Sequence, residues 1–182
     1  MRLFVAIDLP LSIVESFSGI REELEPHSRN LRWVRSESIH LTLKFLGEVS
    51  PPRLVPIEVQ LGRIRRAAFK LSVSGVGFFP NIKAPRVLWV GVSSQAVERL
   101  AADVDKPMSE LGFPPDRRKF TPHLTLARSR GKGHMNPKLV QAAGRFRDSD
   151  FGEFTADRFH LYESRLDPSG AVYKKLDDYR LE

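Results

Sequence analysis

Ile39-His40-Leu41-Thr42-Leu43-Lys44-Phe45 has a counterpart further along the chain, Pro122-His123-Leu124-Thr125-Leu126. In each, a histidine stands two residues before a threonine, with leucines between and after. The period-two alternation predicts two strands, because successive strand side chains point to opposite faces. His40, Thr42 and Lys44 then share one face of the first, and Ile39, Leu41, Leu43 and Phe45 share the other. In the second, His123 and Thr125 stand opposite Leu124 and Leu126. Each strand can bury its leucines while presenting its histidine and threonine together. Histidine is the side chain whose ordinary titration range spans neutral pH, so two of them in matched settings point to proton transfer.

The elements around the motif repeat with it. Leu3 to Ile7 reads as a strand, and Ser12 with Glu15 has the pattern of a capping box opening a helix with Ile13, Phe17, Ile20 and Leu24 on one face. Leu31 to Val34 reads as a short strand. After the His40 strand, Ser50-Pro51-Pro52 opens a second helix carrying Leu54, Ile57, Leu61 and Ile64, with Pro56 expected to delay or kink it. Leu71 to Val76 is a strand, Gly77 to Asn81 a turn, and Val87 to Val92 a central strand. Ser93 or Ser94 caps a third helix that Gly112 stops. The His123 strand follows the basic loop Arg117-Arg118-Lys119. After a loop from Arg128 to Gly133, Asn136-Pro137 opens a short helix. Phe151 to Phe154, Phe159 to Tyr162 and Val172 to Leu176 close the chain as strands. Nearly equal intervals separate Phe4 from His40 and Leu88 from His123, and again His40 from Lys70 and His123 from Phe154. Strand–helix–strand–helix–strand therefore occurs twice, and two such lobes facing each other would bring the two histidine faces across one cleft.

The chain of 182 residues, 41% hydrophobic, is long enough for one domain with a real core. Its net charge of +7 and pI near 10.0 favour a polyanionic partner such as RNA or DNA. With no cysteine, disulfides and cysteine-ligated metal sites are excluded. No apolar stretch approaches the ~18 residues of a membrane helix, and the opening apolar run is interrupted by Asp8 and too short for a signal peptide. The expectation is a soluble cytoplasmic protein without membrane partners, its oligomeric state open with a monomer expected.

The paired motif, with Arg2-Leu3-Phe4-Val5-Ala6-Ile7-Asp8, the extension Lys44-Phe45-Leu46-Gly47-Glu48 and Arg86-Val87-Leu88-Trp89-Val90-Gly91-Val92, resembles the 2H phosphoesterase superfamily. It is closest to the RNA 2′,3′-cyclic phosphodiesterase branch, historically called 2′-5′ RNA ligases. The resemblance covers almost the whole chain and implies that residues 1–182 form a single domain of two similar lobes. It implies an α+β fold, a bilobal pseudo-two-fold duplication in which two antiparallel sheets line a central cleft with helices on the outside. It also implies metal-independent hydrolysis of a terminal RNA 2′,3′-cyclic phosphate to a 2′-phosphate, with no cofactor. Some members also join tRNA halves through a 2′-5′ bond, which makes tRNA fragments candidate partners.

Opening a cyclic phosphodiester needs a base for the attacking water and an acid for the departing ribose oxygen, and two histidines of opposite protonation supply both. The resemblance assigns His40 as proton donor and His123 as proton acceptor; the near-symmetric copies do not order these roles by themselves. Thr42 and Thr125 share their histidines' faces and can donate to phosphate oxygens. Arg128 is a candidate phosphate clamp, although strict alternation puts it opposite His123 unless the strand ends or bulges first. Lys44 and Arg86 could also reach phosphate, and Phe79, Trp89 and Tyr162 could stack a base. A zinc site would want three or four ligands supported by carboxylates. Neither motif has an Asp or Glu within four residues on the histidine face, and His27, His134 and His160 form no ligand-like pair, so no metal is expected. The rival readings are a 2′-5′ RNA ligase running the reverse chemistry and a basic RNA-binding module that does not catalyse.

Overall fold

The computed structural model describes residues 1–115, 119–131, 136–167 and 170–182. Arg117, Arg118, Gly133 and His134, named above, lie outside the described residues. In chain order the elements are β1 (Arg2–Asp8), α1 (Leu11–Glu15), α2 (Ser18–Leu24), β2 (Leu31–Trp33), β3 (His40–Glu48), α3 (Leu54–Leu61) and β4 (Phe69–Phe79). They continue with β5 (Val87–Ser93), α4 (Gln95–Glu110), β6 (His123–Ser129), α5 (Pro137–Gly144), β7 (Asp150–Ala156), β8 (Arg158–Asp167) and β9 (Gly170–Arg180). This is a mixed α/β fold on an antiparallel sheet.

The strands hydrogen-bond in the order β7-β4-β5-β6-β3-β1-β8-β9, with β2 pairing beside β6. The expectation of two sheets is thereby refined: the ladder is continuous. The two histidine strands close it through one residue pair, Leu41 with Leu124, and each has its full ladder on the other side, β3 with β1 and β6 with β5. Each histidine strand thus covers the edge of the other. The strands that follow the second helix of each repeat, β4 and β7, pair with one another.

Leu3, Val5, Ile7, Leu41, Leu43, Leu88, Val90, Leu124 and Leu126 from the strands join Ile20, Leu24, Ile57, Leu61, Leu100, Val104 and Leu139 from the helices in one buried cluster. Each fully buried leucine contributes about 1.5–3 kcal/mol relative to exposure. The apolar side of β3 and β6 is thus spent on the core, and the other side is left for the site.

Several local expectations change. The first helix is broken into α1 and α2, and Ser12 caps nothing because the N-cap position is Pro10; Ile13, Phe17, Ile20 and Leu24 are buried all the same. Neither Ser50 nor Ser94 makes a side-chain cap hydrogen bond. Pro56 does delay α3, as expected: Pro51–Arg53 form a 3₁₀ turn and the α-helix begins at Leu54, so the missing N–H falls in the first turn, where no partner exists. Asn136 does cap α5, its Oδ1 accepting from the Lys138 N–H at 3.0 Å. Gly77 to Phe79 are the end of β4 rather than a turn, held in register with Trp89, Leu88 and Val87. Gly77 is required there, since a Cβ would lie 2.3 Å from the Trp89 ring.

Candidate active site

Continuing the Leu41–Leu124 register by one residue sets His40 across from Thr125 and Thr42 across from His123. The histidines are then diagonal neighbours, a relation that spans roughly 7–8 Å in an antiparallel pair. His40, Thr42, Thr125 and Arg128 line a cleft of about 480 Å³ together with Arg2, Phe4, Phe45 and Tyr173. His123 stands beside it, close enough that its charge and that of Arg128 act on the protonation of His40.

Both histidine strands carry the same irregularity. Ala6 pairs with Thr42 and Val5 with Lys44, so Leu43 is an extra residue. Trp89 pairs with Thr125 and Leu88 with Ala127, so Leu126 is its equivalent. Such a bulge re-aims every side chain after it. Arg128 is thereby brought to the face of His123 and Thr125 and into the cleft, the condition its candidacy required. The same shift overturns the placement of Lys44. It is 3% exposed on the core side, where its ammonium is paired with Asp105 of α4 and donates to the Pro114 carbonyl at 3.0 Å. Phe45, expected in the core, is 60% exposed and lines the cleft. Phe45 and Arg128 are equivalent positions of the two repeats.

The two imidazoles are held alike. His40 Nδ1 lies 2.9 Å from the Ser38 carbonyl and His123 Nδ1 2.7 Å from the Thr121 carbonyl. A carbonyl only accepts, so each Nδ1 carries a proton and each Nε2 is the atom left to react. The Phe4 ring packs against both His40 and Tyr162, at centroid distances of 4.8 and 5.2 Å. His123 rests edge-on to Phe79 at 4.8 Å, and Phe79 lies over Trp89 at 5.0 Å. Tyr162, Phe79 and Trp89, considered as base-stacking candidates, therefore serve as walls behind the histidines. Arg86 is exposed just before β5 and is not among the residues that line the cleft.

Burial pushes the His40 pKa down to about 4; the Ser38 carbonyl and the Asp8 carboxylate oppose the shift, while Arg128 and His123 add to it. Burial also lowers His123, opposed by the Thr121 carbonyl and reinforced by Arg128. Both shifts favour the neutral imidazole, and an anion bound beside the rings would oppose them.

Asp8, to which the sequence reading gave no role in the site, sits at the β1 position registered with His40. Its carboxylate accepts from the Tyr162 hydroxyl at 2.5 Å and from Lys175 Nζ at 2.9 Å, and lies 3.4 Å from His160 Nε2. Burial raises its pKa, but those two hydrogen bonds and the nearby cations hold it below the ordinary carboxylate range. Four groups from three strands meet here, and nothing in their sequence spacing announces it. Among the described residues, no group of three or more His, Cys, Asp or Glu is placed to hold a metal ion. None of the described helices is long and apolar enough to cross a membrane.

Comparison with known proteins agrees with this geometry. The family described as "LigT like Phosphoesterase" matches twice, over residues 7–89 and 90–173. The RNA 2′,3′-cyclic phosphodiesterase of Archaeoglobus fulgidus is 40% identical over 177 residues, covering 97% of this chain and 98% of that protein. The crystal structure of the Thermus thermophilus protein TT0787 superposes with a TM-score of 0.85 at 30% identity, covering 100% of this chain and 98% of that one. The structure of E. coli LigT complexed with 3′-AMP superposes at 0.80 and 29% identity, covering 99% and 97%.

Proposed function

The chain belongs to the LigT-like phosphoesterase family, and from that premise we propose that it is an RNA 2′,3′-cyclic phosphodiesterase working through two histidines without a metal. The observation that carries the reading is the pair of equivalent imidazoles, His40 lining the cleft and His123 beside it, each with Nδ1 tied to a backbone carbonyl so that Nε2 is the atom left to react.

The reaction runs in line at phosphorus. His123 Nε2 takes a proton from water as the water oxygen attacks the cyclic phosphate. The bond from phosphorus to the ribose 3′ oxygen breaks, and His40 Nε2 delivers its proton to that oxygen, leaving a 2′-phosphomonoester. Thr42 and Thr125 donate hydroxyls to the non-bridging oxygens, and Arg128 neutralises the charge that builds on them. The exposed face of Phe45 offers the terminal base a surface to stack on. Two matching halves supply the two protonic groups, and the twofold family match over 7–89 and 90–173 supports a single domain of two similar lobes with helices on the outside. A cytoplasmic setting fits an RNA substrate and a chain without cysteine.

The test is turnover of an oligonucleotide ending in a 2′,3′-cyclic phosphate by the wild type, His40→Ala and His123→Ala. Each variant should lose nearly all turnover while still binding the RNA. Near-normal activity in either removes the two-histidine mechanism. Joined product on supply of 5′-hydroxyl RNA would favour the ligase, and binding without turnover in the wild type would favour the RNA-binding module.

A further inference from the structure

The two halves of the site are equivalent at the histidines and unlike behind them. Asp8 is the β1 residue paired with His40, and Gly91 is the β5 residue paired with His123. The first half therefore places a carboxylate beside its histidine. The second cannot: a Cβ at Gly91 would lie 2.7 Å from the Ser74 backbone oxygen, inside any real contact. Its histidine is backed instead by Phe79 and Trp89. The carboxylate is held in place by the Tyr162 hydroxyl and Lys175 from β8 and β9, with nearly buried His160 beneath.

We infer that Asp8 is the positioning residue that divides the labour, making His40 the proton donor and leaving His123 the acceptor. This rests on the two-histidine reading above. The charged groups that face His40 are Asp8 from β1 and Arg128 and His123 from β6, with Lys175 of β9 reaching it through Asp8 and Tyr162. Only Asp8 is negative among these, and it favours the imidazolium. Around His123 the acting charge is Arg128, which disfavours it.

The sign of the effect separates donor from acceptor. At pH above both histidine pKa values, kcat/KM follows the fraction of donor still protonated. Below both, it follows the fraction of acceptor deprotonated. Asp8→Asn removes the charge, keeps an oxygen for the Tyr162 hydroxyl, and leaves Lys175 without its counter-charge. His40 becomes harder to protonate. A unit charge one strand away is strong enough for a loss of kcat/KM on the order of tenfold at pH 8 to 9, with little change on the acid limb. Asp8→Glu should recover most of the loss.

The measurement is the kcat/KM pH profile, pH 3.5 to 9, of wild type, Asp8→Asn and Asp8→Glu on a nucleoside 2′,3′-cyclic phosphate. A gain on the acid limb with an unchanged alkaline limb would make His40 the acceptor and overturn the inference. An equal loss at every pH would reduce Asp8 to a structural role and also overturn it. A wild type that does not turn the substrate over would instead refute the proposed activity, so the two failures are distinguishable.

Discussion

Anion binding in this cleft should draw a proton onto His40. Burial pushes its pKa down to about 4, about three units below pH 7, so roughly one molecule in a thousand carries the proton there, a deficit of about 4 kcal/mol. A full negative charge at about 4 Å returns energy of the same size, about 4 kcal/mol at an effective dielectric near 20. Sulfate is a suitable probe because it is tetrahedral and stays doubly ionised from pH 5 to 8, so any proton taken up belongs to the protein. Linkage then requires its Kd to rise on the order of tenfold per pH unit across pH 5 to 7. Calorimetry in buffers of different ionisation enthalpy should count close to one proton taken up at about pH 6, falling to about half a proton at pH 7. His40→Asn should lose both the slope and the uptake. A sulfate affinity independent of pH would refute the reasoning. A slope that survives in His40→Asn and vanishes in His123→Asn would assign the proton to the wrong ring.

Three further outcomes follow from the bulges and the cleft lining. Arg128→Ala should lower kcat/KM by about 10- to 100-fold, the size of one charge-assisted hydrogen bond. Lys44→Met should destabilise the fold by about 1–3 kcal/mol in urea unfolding, because Asp105 loses its partner, yet leave kcat/KM unchanged; a large kinetic loss with stability intact would put Lys44 in the cleft. Phe45→Ala should raise KM by about 5- to 100-fold for a nucleoside substrate, as one lost stacking contact would, and should not alter KM for an abasic ribose 2′,3′-cyclic phosphate.

The histidine and threonine strands were legible because period two is a short-range property, and Leu41, Leu43, Leu124 and Leu126 are buried as the alternation requires. The helical faces survived even the break between α1 and α2, since Ile13, Phe17, Ile20 and Leu24 answer to burial rather than to a continuous helix. What failed lies beyond Leu43. Alternation carries no record of an extra residue, because a bulge is decided by the partner strand's register, so Lys44 and Phe45 exchange faces while Arg128 arrives by the same shift. Comparing the two copies position by position would have matched Arg128 with Phe45, but not shown which way either points. Asp8 was invisible for another reason: Tyr162, His160 and Lys175 meet it through β1–β8–β9 pairing, a contact between the ends of the chain.

The central claim is most directly tested by the product. An oligonucleotide ending in a 2′,3′-cyclic phosphate, incubated with the protein and excess chelator, is predicted to be converted to a product with the phosphate on the 2′ oxygen alone, at the rate seen without chelator. Product carrying a 3′-phosphate, or activity that disappears with the chelator, would contradict it.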